Sequence, residues 1–341
     1  MRTVSAIASP LRRVSPASAT LSSRRCFSTS HHLQATWGFI GLGRMGYPMA
    51  RNLRAKIPAE DTLFVHDVNT AATKQFLEEH PQGVRVADNV REVAEKAETI
   101  VTSLPEPSHV KGVFKEMLEP ATLLTDGVKS ERLFIDCSTI DPMTSGEVAK
   151  AAQSSGQGLF IDAPMSGGVV GAQAGTLTFM IGAAPEAVER ATAVLSLMGR
   201  RVLHLGEQGA GLKGKLANNY LLALNNIATA EAMSMGIKWG LDPKALAGMI
   251  NISTGKCWPS EVNNPVPGVV EGSPAGRGYE GGFGVALANK DLKLALKAAA
   301  EANVKLALGE SARALYDAAE KDEKCKGRDF SVVYRYLGGK E

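Results

Sequence analysis

At 341 residues, with 44% hydrophobic and 21% charged residues, the chain is long enough for two ordinary domains and reads as soluble and globular. Its formal charge of +3 misleads: residues 1–34 carry five arginines and no acid, and without them 33 basic residues face 35 acidic ones. That balance, with no basic stripe, excludes a nucleic-acid or other polyanion binder, and no apolar run is long enough to span a bilayer.

Residues 1–34 are rich in Arg, Ser and Ala, the composition of a mitochondrial transit peptide that the matrix-negative potential draws inward. The stretch Arg25-Cys26-Phe27-Ser28-Thr29-Ser30 has the pattern of a matrix processing site, and loss of an octapeptide from Phe27 leaves a mature chain beginning at Ala35. The expectation is a matrix protein; the alternative is a disordered basic tail. Cys26, Cys137, Cys257 and Cys325 show no CxxC spacing, so neither a metal site nor a redox pair is expected.

From Trp37 to about Gly206 short β-rich runs alternate with helical ones. Strands are predicted at Trp37–Ile40, Leu63–His66, Val84–Val86, Thr99–Ser103, Leu133–Cys137, Leu159–Ala163, Leu177–Ile181 and Arg201–His204. Helices between them include Met45–Leu53, Ala71–Glu79, Val90–Lys96 and Glu147–Ser154. Alternation of this kind predicts an α/β fold, a Rossmann-type doubly wound parallel sheet over residues 35–208.

After Gly211 the strand signals vanish. Helices are predicted at Leu212–Gly240, Pro243–Ile252, Val285–Ala302, Leu308–Lys321 and Ser331–Leu337, an all-α domain over residues 209–341. The first of these would run about 42 Å and form the spine between the domains. The Pro- and Gly-rich stretch from Pro259 to Gly284 reads as a lid or wall rather than core.

Gly41-Leu42-Gly43-Arg44-Met45-Gly46 follows the first strand and opens a helix. GxGxxG alone is a weak signal. In that context it predicts a dinucleotide cradle, with a tight turn at Gly41, room for pyrophosphate at Gly43 and close helix packing at Gly46. Asp67 ends the next strand 21 residues beyond Gly46, where a carboxylate accepts from the adenosine ribose and repels a 2′-phosphate, so NAD is expected over NADP.

Leu104 and Pro105 end the fourth strand and are expected to pack on the cofactor. Ser138 and Thr139 end the fifth and place hydroxyls near the nicotinamide, with Ser138 expected to help hold the substrate carboxylate. Each pair taken alone is also ordinary turn chemistry. Ser166-Gly167-Gly168 offers a hydroxyl and open backbone amides, a concave site suited to a small carboxylate, or else a flexible glycine turn. Gly211, Lys215 and Asn219, four apart, share one face of the spine helix. A lysine usually points into water; its alignment with a glycine that would admit ligand and an amide that would orient the amine makes Lys215 a candidate acid–base group.

Phe39-Ile40-Gly41-Leu42-Gly43-Arg44-Met45-Gly46, Asp162-Ala163-Pro164-Met165-Ser166-Gly167-Gly168, the Gly211/Lys215/Asn219 spacing and Phe283-xxx-Leu287-xx-Lys290-Asp291 together resemble, in order, the motifs of the β-hydroxyacid dehydrogenases. The resemblance covers nearly all of the chain after residue 36. It implies that Lys215 is catalytic, that Asn219 assists it and that Lys290 is a cofactor-side lysine. Asn251-Ile252-Ser253-Thr254-Gly255-Lys256-Cys257-Trp258 and Asn264-Pro265-Val266-Pro267-Gly268 are similar to the branch acting on 3-hydroxyisobutyrate, which implies NAD-dependent oxidation to methylmalonate semialdehyde. Met165 stands where the family usually has Val, and residues 121–131 are longer than its usual loop. The alternatives are reduction of tartronate or succinic semialdehyde, or a non-catalytic NAD-binding interaction protein. The apolar helical domain makes a dimer or tetramer the expected assembly.

Overall fold

The computed structural model describes residues 34–120 and 132–341. The basic leader up to residue 33, with its processing pattern, and the long loop at 121–131 lie outside the described residues. Through residue 206 the chain runs β1 (Thr36–Ile40), α1 (Gly46–Lys56), β2 (Thr62–His66), α2 (Thr70–Glu79), β3 (Val84–Val86), α3 (Val90–Lys96), β4 (Thr99–Thr102), α4 (Pro107–Leu118), β5 (Arg132–Asp136), α5 (Pro142–Ser154), β6 (Gly158–Asp162), β7 (Met165–Ser166), α6 (Gly168–Ala174), β8 (Leu177–Gly182), α7 (Pro185–Leu195) and β9 (Gly199–Gly206). Helix starts follow local chemistry. Asn69 and Asn89 accept from first-turn amides of α2 and α3, and proline opens α4, α5 and α7, where its missing N–H costs nothing.

Among the described residues nine strands form one sheet in the order β3-β2-β1-β4-β5-β6-β8-β7, with β9 on β8. Strand residues alternate between its two faces: Leu133 and Ile135 of β5 join Met49, Leu53 and Val194 on one side, while Phe134 joins Val93, Phe114 and Phe160 on the other. The chain reverses its direction across the sheet between β1 and β4, the switch point where a doubly wound sheet leaves a crevice at its carboxyl ends.

The expected doubly wound parallel sheet runs from β3 to β6, and the strands beyond it are mixed. β8 runs antiparallel to both β6 and β7, and β9 is parallel to β8. The cause is the connection. α6 has seven residues and carries the chain back only about 10 Å, short of the roughly 20 Å that a six-residue strand such as β8 covers.

Beyond β9 the structure is helical: α8 (Ala210–Lys238), α9 (Pro243–Asn251), α10 (Trp258–Glu261), α11 (Val285–Glu301), α12 (Gly309–Lys321) and α13 (Val333–Tyr336), with 3-10 turns at Pro274–Arg277 and Phe330–Val332. With 29 residues α8 is about 44 Å long. Leu212, in its first turn, belongs to the core under the sheet, whereas Ala223, Ala230 and Met233 belong to the helical core with Tyr279, Tyr316 and Phe330. One helix therefore serves both cores.

The stretch between α10 and α11 is not a lid. Tyr279 is fully buried and donates to Pro265 O (2.8 Å). The carboxylate of buried Asp329 accepts from Asn263 Nδ2 (3.0 Å) and from Phe283 N (2.7 Å). These partners satisfy backbone and amide groups that an irregular segment would otherwise leave open, and they tie its buried parts, residues 263–266, residues 273–275 and Tyr279, to the helical core.

Phe114 is 1% exposed and meets Phe134 and Phe160 edge-on at 5.7 and 5.2 Å between ring centres. Phe114→Ala is expected to destabilise the fold by about 3–5 kcal/mol, read from denaturant midpoints at unchanged m-value.

Candidate active site

The glycine turn after β1 owes its shape to three different constraints. Gly41 has φ of +97°, and a Cβ there would overlap the Ser103 carbonyl oxygen at the end of β4. A Cβ at Gly46 would overlap Gly41 O, so α1 starts against the turn itself. Gly43 is exposed, and a Cβ there would meet nothing within 4 Å. Met45 gives α1 no side-chain cap and its first turn holds no acid, so no side chain offsets the positive end of this 11-residue helix. Leu42 is buried beneath the turn, while Arg44 is exposed at its rim. This open, positively polarised cradle fits a dinucleotide pyrophosphate.

Asp67 stands just past β2. Its Oδ2 accepts from Leu42 N (2.5 Å) and its Oδ1 from Asn69 N (2.6 Å), which locks the carboxylate against the cradle. About two of its four lone-pair directions remain for hydroxyl donors.

At the neighbouring strand ends Asp136, fully buried, gathers Thr102 Oγ1 (2.7 Å), Ser138 Oγ (2.6 Å) and Ser138 N (3.1 Å) onto Oδ1. Ser138 Oγ also accepts from Leu104 N (2.9 Å). The Ser138 hydroxyl thus ties the end of β5 to the end of β4. Leu104 and Thr139 are half-buried there and Pro105 is exposed. The carbonyls of Pro105 and Thr139 both accept from Lys290 Nζ, at 2.8 and 3.0 Å, so α11 reaches across to these loops.

Lys215 and Asn219 lie on the buried stripe of α8, 8% and 6% exposed. The expected bond from Asn219 to the amine is not among its contacts. Its Nδ2 donates to Asp291 Oδ2 (2.6 Å) and its Oδ1 accepts from Asn218 Nδ2 (3.1 Å). Burial pushes the Lys215 amine below the ordinary lysine value, Asp291 opposes that shift and Lys290 adds to it. Burial likewise pushes the Asp291 carboxyl up, against the pull of Lys215, Lys290 and Asn219. Both shifts favour the neutral forms, as removal from water requires.

Gly211 does not open space for a ligand. A Cβ there would overlap Met180 O of β8, so the glycine is the contact by which α8 lies on the sheet. Ser166 pairs with Thr178 on the same strand, and Gly167 and Gly168 follow it, both exposed, with φ of +131° and +60°. Ser166 and the first turn of α8 therefore border β8 from two sides. The Ser166 hydroxyl bonds to no described residue. Two residues without an assigned role in the sequence stand out here: Asp291, and Asp162 at the end of β6, which accepts from Gly209 N (2.5 Å) and Leu212 N (2.8 Å). Their signal was an acid beside a motif lysine and an acid ending a strand. Neither pattern names its partner, 72 or 50 residues away. Among the described residues no cluster of three or more His, Cys, Asp or Glu gathers to hold a metal, and no helix is long and apolar enough to cross a membrane.

A glycine cradle at the switch point and a buried amine on the helix shared by two cores define an NAD-dependent oxidoreductase of Rossmann-plus-helical build. Residues 36–206 match the family model for the NAD-binding domain of 6-phosphogluconate dehydrogenase, and 209–337 match that for the NAD-binding of NADP-dependent 3-hydroxyisobutyrate dehydrogenase. The mitochondrial 3-hydroxyisobutyrate dehydrogenase of Bos taurus is 42% identical over 97% of this chain and 94% of its own. The probable mitochondrial 3-hydroxyisobutyrate dehydrogenase of Dictyostelium discoideum is 43% identical over 92% and 93%. The solved structure of Mycobacterium tuberculosis 3-hydroxyisobutyrate dehydrogenase with L-serine superposes with a TM-score of 0.81 at 36% identity, covering 89% of this chain and 99% of that one. The chain belongs to the 3-hydroxyisobutyrate dehydrogenase family.

The position of Asp67 against the cradle generates a cofactor prediction. Steady-state kinetics should show NAD preferred over NADP by a large factor in kcat/KM, with Asp67→Ser narrowing the gap; equal use of both by the unmutated enzyme would contradict it.

Proposed function

We propose that this chain oxidises 3-hydroxyisobutyrate to methylmalonate semialdehyde with NAD, a step of valine breakdown, in the mitochondrial matrix. The observation that carries the reading is the buried Lys215 amine on α8, which burial shifts toward its neutral form. NAD, when bound, supplies the acceptor for the hydride that leaves the alcohol carbon. Gly41 to Gly46 hold its pyrophosphate and Asp67 its adenosine ribose. Leu104, Pro105 and Thr139 border its nicotinamide, with Lys290 fixing two of those carbonyls from α11.

The substrate carboxylate is held by the Ser166 hydroxyl and the Gly167 and Gly168 amides, and Ser138 shapes the adjoining rim. Neutral Lys215 accepts the hydroxyl proton, and its ammonium returns that proton in the reverse direction. Asn219 and Asp291 form the polar wall beside the amine. A non-catalytic binder has no use for a buried amine that forms no ion pair among the described residues. Residues 35–208 act as the nucleotide domain and 209–341 as the helical domain. Residues 1–34 act as a matrix leader, a reading supported by the relatives named as mitochondrial. Exposed Leu221, Trp239 and Ile252 on α8 and just beyond α8 and α9 support a dimer or tetramer.

A substrate panel followed by NADH absorbance tests the assignment, and faster turnover of tartronate or succinic semialdehyde would overturn it. Lys215→Ala is expected to lower kcat about 10²–10⁴-fold, the usual worth of a positioned acid–base group. Lys215→Arg should fail nearly as badly, because a guanidinium does not release its proton. With the amine shifted below its ordinary value, oxidation should rise with pH through an apparent pKa lower than a free lysine's. That limb should vanish in Lys215→Ala. A well-active Arg variant would instead make Lys215 an electrostatic anchor. Ser166→Ala should raise KM for the hydroxy acid and leave NAD binding nearly unchanged; collapse of NAD affinity would assign the segment to the cofactor.

A further inference from the structure

The catalytic reading leaves the Asp162 carboxylate unused. It is fully buried at the end of β6, in register with Asp136 on β5 and with Gly182 on β8. Its Oδ1 accepts from Gly209 N (2.5 Å) and its Oδ2 from Leu212 N (2.8 Å), one on each side of the start of α8. Glycines make room for it: a Cβ at Gly182 would overlap Asp162 Oδ1, and one at Gly211 would come within 2.9 Å of Oδ2. Gly209 takes φ of +90°, which turns its N–H onto the carboxylate.

We propose that Asp162 is a positioning residue for Lys215: its two oxygens pin the first turn of α8 to the end of β6, and that turn sets where the amine stands. Lys215 follows Leu212 by three residues, less than one helical turn. A shift of the pinned turn is therefore transmitted rigidly to the amine. Among the described residues no other side chain caps α8 at this end: Gly209 precedes it and no acid lies in its first turn. A carboxylate against these amides also suits the positive end of the helix. Burial, and Asp136 alongside, push the carboxyl up to about 6 against the pull of the two amides.

The inference rests on Lys215 as proton acceptor. The test is Asp162→Asn, whose amide offers one acceptor and sets an NH2 against the other backbone N–H. In the folded variant, with NADH binding intact by fluorescence titration, kcat should fall about 10–100-fold, the scale of an ångström-sized misplacement. The apparent pKa of the Lys215 limb should move up toward the ordinary lysine value as water reaches the loosened turn. Asp291 and Lys290, the charged groups that face the amine from α11, are unchanged in this variant. Gly209→Ala keeps the carboxylate and has open space for its methyl, but is strained at φ of +90°. It should show the same two effects more weakly, and it decides the matter if Asp162→Asn does not fold. Either folded variant with unchanged kcat and pH profile, even at lowered Tm, overturns the positioning role and leaves Asp162 a purely structural cap. Lys215→Ala assayed alongside separates the two ideas: if it keeps its kcat, the proton-acceptor reading fails; if it loses kcat while Asp162→Asn does not, only the positioning inference fails.

Discussion

Taking an amine out of water costs several kcal/mol while it carries its proton. Among the described residues no ion pair offsets that cost for Lys215: Asp291 is close enough to act on its charge, yet the Asp291 carboxylate bonds to Asn219 instead. A directly paired lysine would be held as an ammonium. The amine left buried beside a carboxylate that is itself pushed toward neutrality can exchange a proton at modest cost. Burial with incomplete compensation is thus the constraint to which the surrounding elements answer.

The answer requires rigidity, because a mobile lysine would swing into solvent. α8 meets the requirement by joining two cores, with Leu212 under the sheet and Ala223 onward among the helices. Gly211 brings it into contact with β8, and Asp162 holds its first turn. From the other side α11 reaches back to the ends of β4 and β5 through Lys290, and Lys297 meets the buried cap Asp141 of α5 at 3.3 Å. The cofactor cradle and the amine lie on separate elements, so these ties keep them in register.

Much of this could be read from the chain before any coordinates. The predicted strands fall within two residues of those observed, because each is a short β-rich run bounded by turn residues. The glycine turn has one reading once a strand precedes it and a helix follows. Other features escaped because they depend on what lies opposite. Periodicity places β8 but does not give its direction, and two-residue β7 is too short to show a period. The Pro- and Gly-rich stretch after α10 resembled a lid because nothing local reveals that Asp329 and Tyr279 bury it. Gly211 resembled a ligand opening because Met180 O, its actual neighbour, lies on a distant strand. Asp162 and Asp291 were visible as residues, but their partners were not.

The most direct measurement is the titration of the Lys215 amine itself, by carbon NMR of the folded protein labelled at its lysine ε-carbons, with Lys215→Arg assigning the resonance. A pKa clearly below the ordinary lysine value of about 10.4 is expected. A Lys215 resonance that titrates at or above that value would show a permanently charged amine, and the account of proton transfer would be wrong.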